Sequence, residues 1–146
     1  MRAPFQILVI PYRRTPEGPR YCVLHRADLD QWQFIAGGGE DQETPMEAAR
    51  REIFEESGAR PDKILALQSM TFIPADIFSA RHTAAWPRGT YVVPEYAFAF
   101  EVKAEIRLSH EHLEALWLSY EDARERLRWD SNKTALYELA CRLREE

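Results

Sequence analysis

Gly37-Gly-Gly-Glu-Asp-Gln-Glu43-Thr-Pro-Met-Glu-Ala-Ala-Arg-Arg51-Glu52-Ile-Phe-Glu55-Glu56-Ser-Gly58 combines a glycine run, a helix start, a carboxylate cluster and a helix stop in one short segment. Thr44 is a good N-cap, Pro45 suits the first helical position and Glu47 completes a capping box, so a helix begins here. Gly58 supplies its stop. Met46, Ala49, Ile53 and Ser57 recur at intervals of three or four and predict a modest buried stripe on a helix that is otherwise charged. Glu52, Glu55 and Glu56 stand at i, i+3 and i+4, which predicts three carboxylates on one face. Like charges at that spacing cost a helix about 0.2–0.5 kcal/mol per pair, and a divalent cation turns the repulsion into binding. All-oxygen ligands select a hard ion, so Mg2+, or else Mn2+, is expected over zinc. The glycines at 37–39 read as a loop that allows close backbone approach.

The bland interpretation of each piece is a surface one. Acidic runs on helices are usually solvated, Arg51 is placed to pair with Glu47 or Glu55, and glycine triplets occur in many loops. The order of the pieces carries more weight than any one of them.

Working outward, residues 5–12 and 21–25 are β-branched or aromatic runs separated by Thr15-Pro-Glu-Gly-Pro19, which reads as a hairpin. Residues 32–35 form a short strand candidate before the glycines. Residues 64–72, 94–102 and 115–118 read as further strands, with a helix capped at Ser119 and a last helix from about Ser131. Strands and helices interleave without repeat or low-complexity linker, so the expected class is mixed α/β, a single domain over residues 1–146 with helices covering a sheet.

The composition sets limits. With 146 residues, 45% of them hydrophobic, the chain has material for one core. A formal charge of −5 argues against long nucleic acid as partner, which calls for a basic surface. The start of the chain lacks a signal-peptide layout and no apolar run approaches a membrane span, which places the protein in the cytoplasm without a membrane partner. Cys22 and Cys141 stand alone in apolar patterns and read as packed thiols.

The pattern Gly37, Glu43, Arg51-Glu52-Ile53, Glu55-Glu56 and Gly58, with Ala59 as a small closing apolar residue, resembles the Nudix box. The resemblance implies a Nudix-type α/β/α sandwich with a mixed central sheet and a metal-dependent hydrolase of phosphoanhydride bonds. It assigns the metal ions to Glu52, Glu55 and Glu56, with the backbone carbonyl of Ala36 and Glu111 as further ligands. Arg51 orients a catalytic carboxylate, Glu43 braces the loop and Gly58 closes the helix. The general base is left open between Glu55 and Glu111. Gly37 and Gly38 fall where substrate passes, Arg26 is a candidate phosphate contact and Trp32 a candidate ring for stacking on a heterocycle. For Arg26 and Trp32 the alternatives are a solvated edge charge and a core ring; Trp86 and Trp129 stay open in the same way, and Trp117 reads as core.

Outside the box the chain resembles one branch, the dihydroneopterin triphosphate pyrophosphatases of folate biosynthesis. The residues are Trp32-Gln33, Ile77-Phe78-Ser79, Glu111-His112-Leu113 with Trp117-Leu118, and Trp129 with Ser131-Asn132. Residues 80–94 diverge and Gln42 replaces a usual glycine. The implied substrate is a small triphosphate, dihydroneopterin triphosphate or a nucleoside triphosphate, cut to monophosphate and pyrophosphate. Trp32-Gln-Phe34 also resembles enzymes of RNA 5′ ends and dinucleoside polyphosphates. Damaged-nucleotide and nucleotide-sugar hydrolysis, and a non-catalytic nucleotide-binding regulatory module, are the remaining alternatives. Residues 74–94 read as a surface loop that would serve as a lid.

Overall fold

In a computed structural model that describes residues 1–108 and 112–146, seven strands form one mixed sheet with helices on both faces. The opening hairpin exists and is longer than the apolar runs suggest: β1 covers Arg2–Thr15 and β2 covers Gly18–Arg26, paired from Tyr12 with Tyr21 to the turn. Beyond Tyr12 the two strands splay. The space between them is taken by β3 (Gln31–Gln33) on β2 and then by β4 (Ile35–Glu40) on β1, both antiparallel.

The glycine run is therefore not a loop. Gly37 and Gly38 sit inside β4, paired with Ile7 and Gln6, and their lack of side chains serves close approach rather than turning. On the other edge of β1 runs the parallel β6 (Val92–Glu101), flanked by the antiparallel β5 (Leu65–Pro74); β7 (His112–Leu118) pairs with β2.

Alternation along the strands builds two cores. Ile7, Val9, Cys22, Leu24, Phe98 and Phe100 turn to one face and meet Ala48, Ala49 and Ile53 of α1 (Pro45–Ser57). Leu8, Ile10, Tyr21, Val23, Ala97 and Ala99 turn to the other and meet Ala123 of α3 (Tyr120–Arg126) and Leu136, Leu139 and Leu143 of α4 (Asp130–Arg144). Size is complementary across the sheet. Where β6 shows phenylalanine the helix shows alanine, and where β6 shows alanine the helix shows leucine, which fills both layers at similar depth. Burial pushes the Cys22 thiol up to about 12.

Local signals set the helix ends. Thr44 accepts from the Glu47 N–H at 3.2 Å while the Glu47 carboxylate accepts from the Thr44 N–H at 2.8 Å, and Gly58 closes α1 at φ 75°. Ser119 caps α3 through the Asp122 N–H. Residues 74–94 carry a 3₁₀ turn at Ala75–Ile77 and a short helix α2 (Ala80–Thr83). They are anchored by a small cluster of Ala75, Trp86 and Val93, and the Trp86 indole donates to the Arg2 carbonyl at 2.8 Å. Among the described residues no helix is long and apolar enough to cross a membrane.

Candidate active site

On α1 the carboxylates divide. Successive residues are about 100° apart around a helix, so Glu52 and Glu56 lie nearly in line while Glu55 falls to the side. Glu56 joins the buried stripe with Ala49 and Ile53 and is 4% exposed. The Glu52 side chain is 15% exposed and that of Glu55 51%. The three glutamates thus do not share one open face, as the spacing alone predicts: two are turned inward and one stays in solvent.

The inward turn is possible because of Gly37. A Cβ at that position would collide with the Glu52 carboxyl group, so glycine in β4 creates the space the carboxylate fills. Burial, then the facing Glu56, pushes the Glu52 carboxyl up to about 8, and the two carboxyls are hydrogen-bonded to one another.

Arg51 ties the loop to the helix. Its Nε donates to Glu43 at 2.7 Å, and Nη2 donates to Glu43 at 3.0 Å and to the Gly38 carbonyl at 2.8 Å. Nη1 donates to Glu52 and to Glu55, each at 3.0 Å. Glu43 in turn accepts from the Glu40 N–H at 2.9 Å. The hydrogen bond from Arg51 holds the Glu43 carboxyl below its ordinary range. One guanidinium thereby fixes the residues after β4, the β4 backbone and two helix carboxylates, a set of contacts that a planar, multi-donor cation suits.

The donor set fits a hard cation in part. Glu52 and Glu56 present buried carboxyl oxygens side by side, and positive charge there relieves their repulsion. Among the described residues no group of three or more His, Cys, Asp or Glu side chains converges on one point, and Glu55 is hydrogen-bonded to Arg51. Ala36, paired with Leu8, directly precedes the glycine that admits Glu52. Glu111, expected as a further ligand or base, lies outside the described residues.

Other expected site residues have partners of their own. Arg26 forms a two-pronged pair with Asp28, at 2.9 and 2.5 Å. Trp32 is half-buried, stacked on His25 at 4.8 Å, with the Arg126 guanidinium 4.9 Å from its ring centre. Trp86 is core, Trp129 is exposed at the start of α4, and Trp117 is partly buried under Arg13.

Sequence reading missed Arg2, Gln6 and Glu95. The Arg2 guanidinium occupies the space over Gly38, donates to Gln6 at 2.7 Å and is acted on by the charges of Glu52 and Glu40. Glu95 is 8% exposed on the α4 face; burial pushes its carboxyl up, against a hydrogen bond with Ser131. The available signal was alternation: Glu95 occupies an inward position in register with Ala97 and Ala99.

The mixed sheet lies between helices, and two buried helix carboxylates are set against a glycine strand. The chain belongs to the Nudix family: the NUDIX domain profile matches residues 6–139. A crystal structure of a Nudix hydrolase from Listeria monocytogenes is 48% identical, with 98% of this chain and 96% of that one aligned at a TM-score of 0.87. The Escherichia coli dihydroneopterin triphosphate pyrophosphohydrolase superposes at a TM-score of 0.76 with 24% identity over 97% of each chain, a likeness of fold. The RNA pyrophosphohydrolase of Helicobacter pylori is 41% identical over 56 residues, 36% of this chain and 36% of that protein. The match therefore spans about a third of that relative's length.

Proposed function

We propose that this protein is a divalent-cation-dependent pyrophosphohydrolase that cuts a small triphosphate, dihydroneopterin triphosphate or a nucleoside triphosphate, into monophosphate and pyrophosphate in the cytoplasm. The observation that supports it best is the Glu52–Glu56 carboxyl pair seated against Gly37 and steadied by Arg51.

Glu52 and Glu56 would hold Mg2+ or Mn2+, with the Ala36 carbonyl beside them; Glu55 would serve either as a further ligand, giving up its hydrogen bond to Arg51, or as the base, keeping it. Bound there, the cation supplies positive charge against the phosphoryl oxygens and acidifies water. In the base role Glu55, solvent-facing and oriented by Arg51 at 3.0 Å, would accept the proton from the attacking water; Glu111 is the other candidate for that proton. Arg51 also keeps the Gly38 backbone and Glu43 in place, so that the substrate meets a fixed strand. Arg2, over Gly38, offers a cation to the leaving pyrophosphate.

The similarity to RNA pyrophosphohydrolases supports a second reading, action on RNA 5′ triphosphate ends. A non-catalytic module is disfavoured by the intact carboxylate positions. A single panel separates these: dihydroneopterin triphosphate, the common nucleoside triphosphates, diadenosine tetraphosphate, nucleotide sugars and 5′-triphosphorylated RNA, each with Mg2+ and with EDTA. We expect Mg2+-dependent release of pyrophosphate, fastest from a small triphosphate. Faster release from RNA or diadenosine tetraphosphate would reject the small-triphosphate reading, and no release from any substrate would reject hydrolysis.

A further inference from the structure

An antiparallel strand pair with one face in water normally turns its polar residues outward. Toward Pro74 the pair β5–β6 reverses that rule. The face under α4 receives Thr71 opposite the buried Glu95. The opposite face carries three successive rungs, Met70 with Tyr96, Phe72 with Pro94 and Pro74 with Val92, and all six residues are apolar. Tyr96 is in register with Ile7 and packs on the core under α1, so this face continues that core. The helix itself packs on β4 and β1, and Met70, Phe72 and Val92 are left 50% to 56% exposed.

The strand ends enlarge the patch. Tyr91, 81% exposed, directly precedes β6, and Ile77, 66% exposed, ends the turn that follows β5. The Tyr91 carbonyl accepts from the Ala75 N–H at 2.8 Å, which holds these ends side by side. Five of the ten large apolar side chains exposed among the described residues thus fall on two neighbouring strands and their ends. Single exposed apolar residues need no explanation, but a cluster of them marks a contact surface.

Charge and area identify what covers it. β5 has no charged residue from Leu65 to Pro74, and the one charge opposite the patch on β6, Glu95, is turned inward. With −5 on each chain, two copies repel over much of their surfaces and meet without that penalty here. An uncharged patch is also its own complement, as a twofold contact requires. At about 200 Å² for a large side chain, the exposed parts of Met70, Phe72, Ile77, Tyr91 and Val92 come to ~550 Å² per copy. Two such patches in contact bury ~1,100 Å², above the ~1,000 Å² expected of a specific interface. The contact is through the face and not by strand addition, because the N–H groups of Gln68 and Ser69 on this edge strand are taken by Glu138.

We propose that the apolar face of β5–β6 is a homodimer interface, on which a second copy of this chain lays the same face about a twofold axis. The proposal goes beyond the hydrolase reading and does not depend on it.

Sedimentation of the wild type over a dilution series tests it. Twice the chain mass is expected at high concentration, falling to the single mass on dilution. Phe72→Glu and Val92→Glu bring like charges together across the axis and should each raise the dimer dissociation constant at least roughly tenfold, with an unchanged circular dichroism spectrum. Phe54→Glu, which places a charge on a similarly exposed apolar position of α1, should leave that constant within about twofold of wild type. Should a face variant fail to fold, amide exchange of the wild type decides the matter: residues 70–74 and 91–96 should exchange more slowly at high protein concentration than at low, and equal exchange there overturns the proposal. A wild type that is monomeric at every concentration also overturns it, and flotation of that monomer with phosphatidylcholine vesicles would give the face to lipid instead. Retention of the wild-type dimer by either folded face variant, or its loss in Phe54→Glu as well, counts equally against it.

Discussion

The carboxyl group of Glu52 fills the space that a side chain on Gly37 would occupy. Two residues 15 positions apart, one in a strand and one in a helix, are thus a single feature: the glycine exists in β4 so that the helix carboxylate can reach the strand.

Gly37→Ala follows directly. The clash is with the far end of a flexible side chain and the backbone here needs no left-handed conformation, so Glu52 can swing away at little cost to folding. We expect a melting temperature within about 5 °C of wild type, a shift of roughly 1 kcal/mol for a chain of this size, with Mg2+-dependent turnover down at least roughly a hundredfold. Thermal melts and steady-state rates measure both. Wild-type turnover in a folded Gly37→Ala would refute the coupling.

Arg51→Lys probes the network rather than the charge. A lysine ammonium cannot reach Glu43, the Gly38 carbonyl and both helix carboxylates at once. Stability should fall by about 2 kcal/mol, read from urea midpoints, and turnover should fall with it. A lysine variant equal to wild type in both would show that a positive charge is all the site requires.

Thr44→Ala separates helix integrity from chemistry. Loss of the cap should cost about 1 kcal/mol while leaving the carboxylate end of α1, three turns away, in place; turnover at 25 °C should stay within about twofold. A collapse of activity without unfolding would mean that the cap sets the register of Glu52.

These contrasts also show what could be read from the sequence. The α1 boundaries were legible because capping is local: Thr44, Glu47 and Gly58 act within four residues of themselves. The strands flanking the glycines were legible as apolar runs. Membership of Gly37 and Gly38 in β4 was not, since glycine signals a turn and only pairing with Gln6 and Ile7 makes it strand. The inward turn of Glu52 and Glu56 was hidden for the same reason, because it depends on the space over Gly37. For Arg26 the sequence leaves a phosphate contact and a solvated charge open, and for Trp32 a stacking ring and a core ring; Asp28 and His25 engage them through local geometry that residue type does not encode. Glu95 lay in plain alternation, but a carboxylate facing a core runs against expectation and the register that places it opposite Gln6 is non-local.

Glu138 supplies a pH dependence. The β5–β6 register shifts between Ala66 and Met70, and the N–H groups of Gln68 and Ser69 in that interval donate to the Glu138 carboxylate at 2.7 Å each, joined by the Ser69 hydroxyl and Arg142. Burial pushes this carboxyl up, but the four donors outweigh it and hold it below its ordinary 4.5. A depressed carboxyl contributes stability above the unfolded value and loses it as pH falls through the folded one. Glu138→Gln should therefore be less stable than wild type by about 1 kcal/mol near neutrality, with the gap closing below about pH 4. Urea titrations across that range give the answer, and a gap undiminished near pH 3 would sink it.

Glu55→Gln and Glu56→Gln should behave in opposite ways. Glu56 is buried against Glu52, so Glu56→Gln removes one of two facing carboxyls and should raise the melting temperature of the metal-free protein at pH 8, while abolishing both the Mg2+-induced thermal shift and turnover. Glu55 is half-exposed and bound to Arg51, so Glu55→Gln should leave the melting temperature nearly unchanged, keep part of the Mg2+ shift and still lose most turnover if it takes the proton from water. Equal Mg2+ shifts in wild type and Glu56→Gln would remove the buried pair from the cation site; full turnover in Glu55→Gln would pass the base to Glu111, for which Glu111→Gln is the matching test.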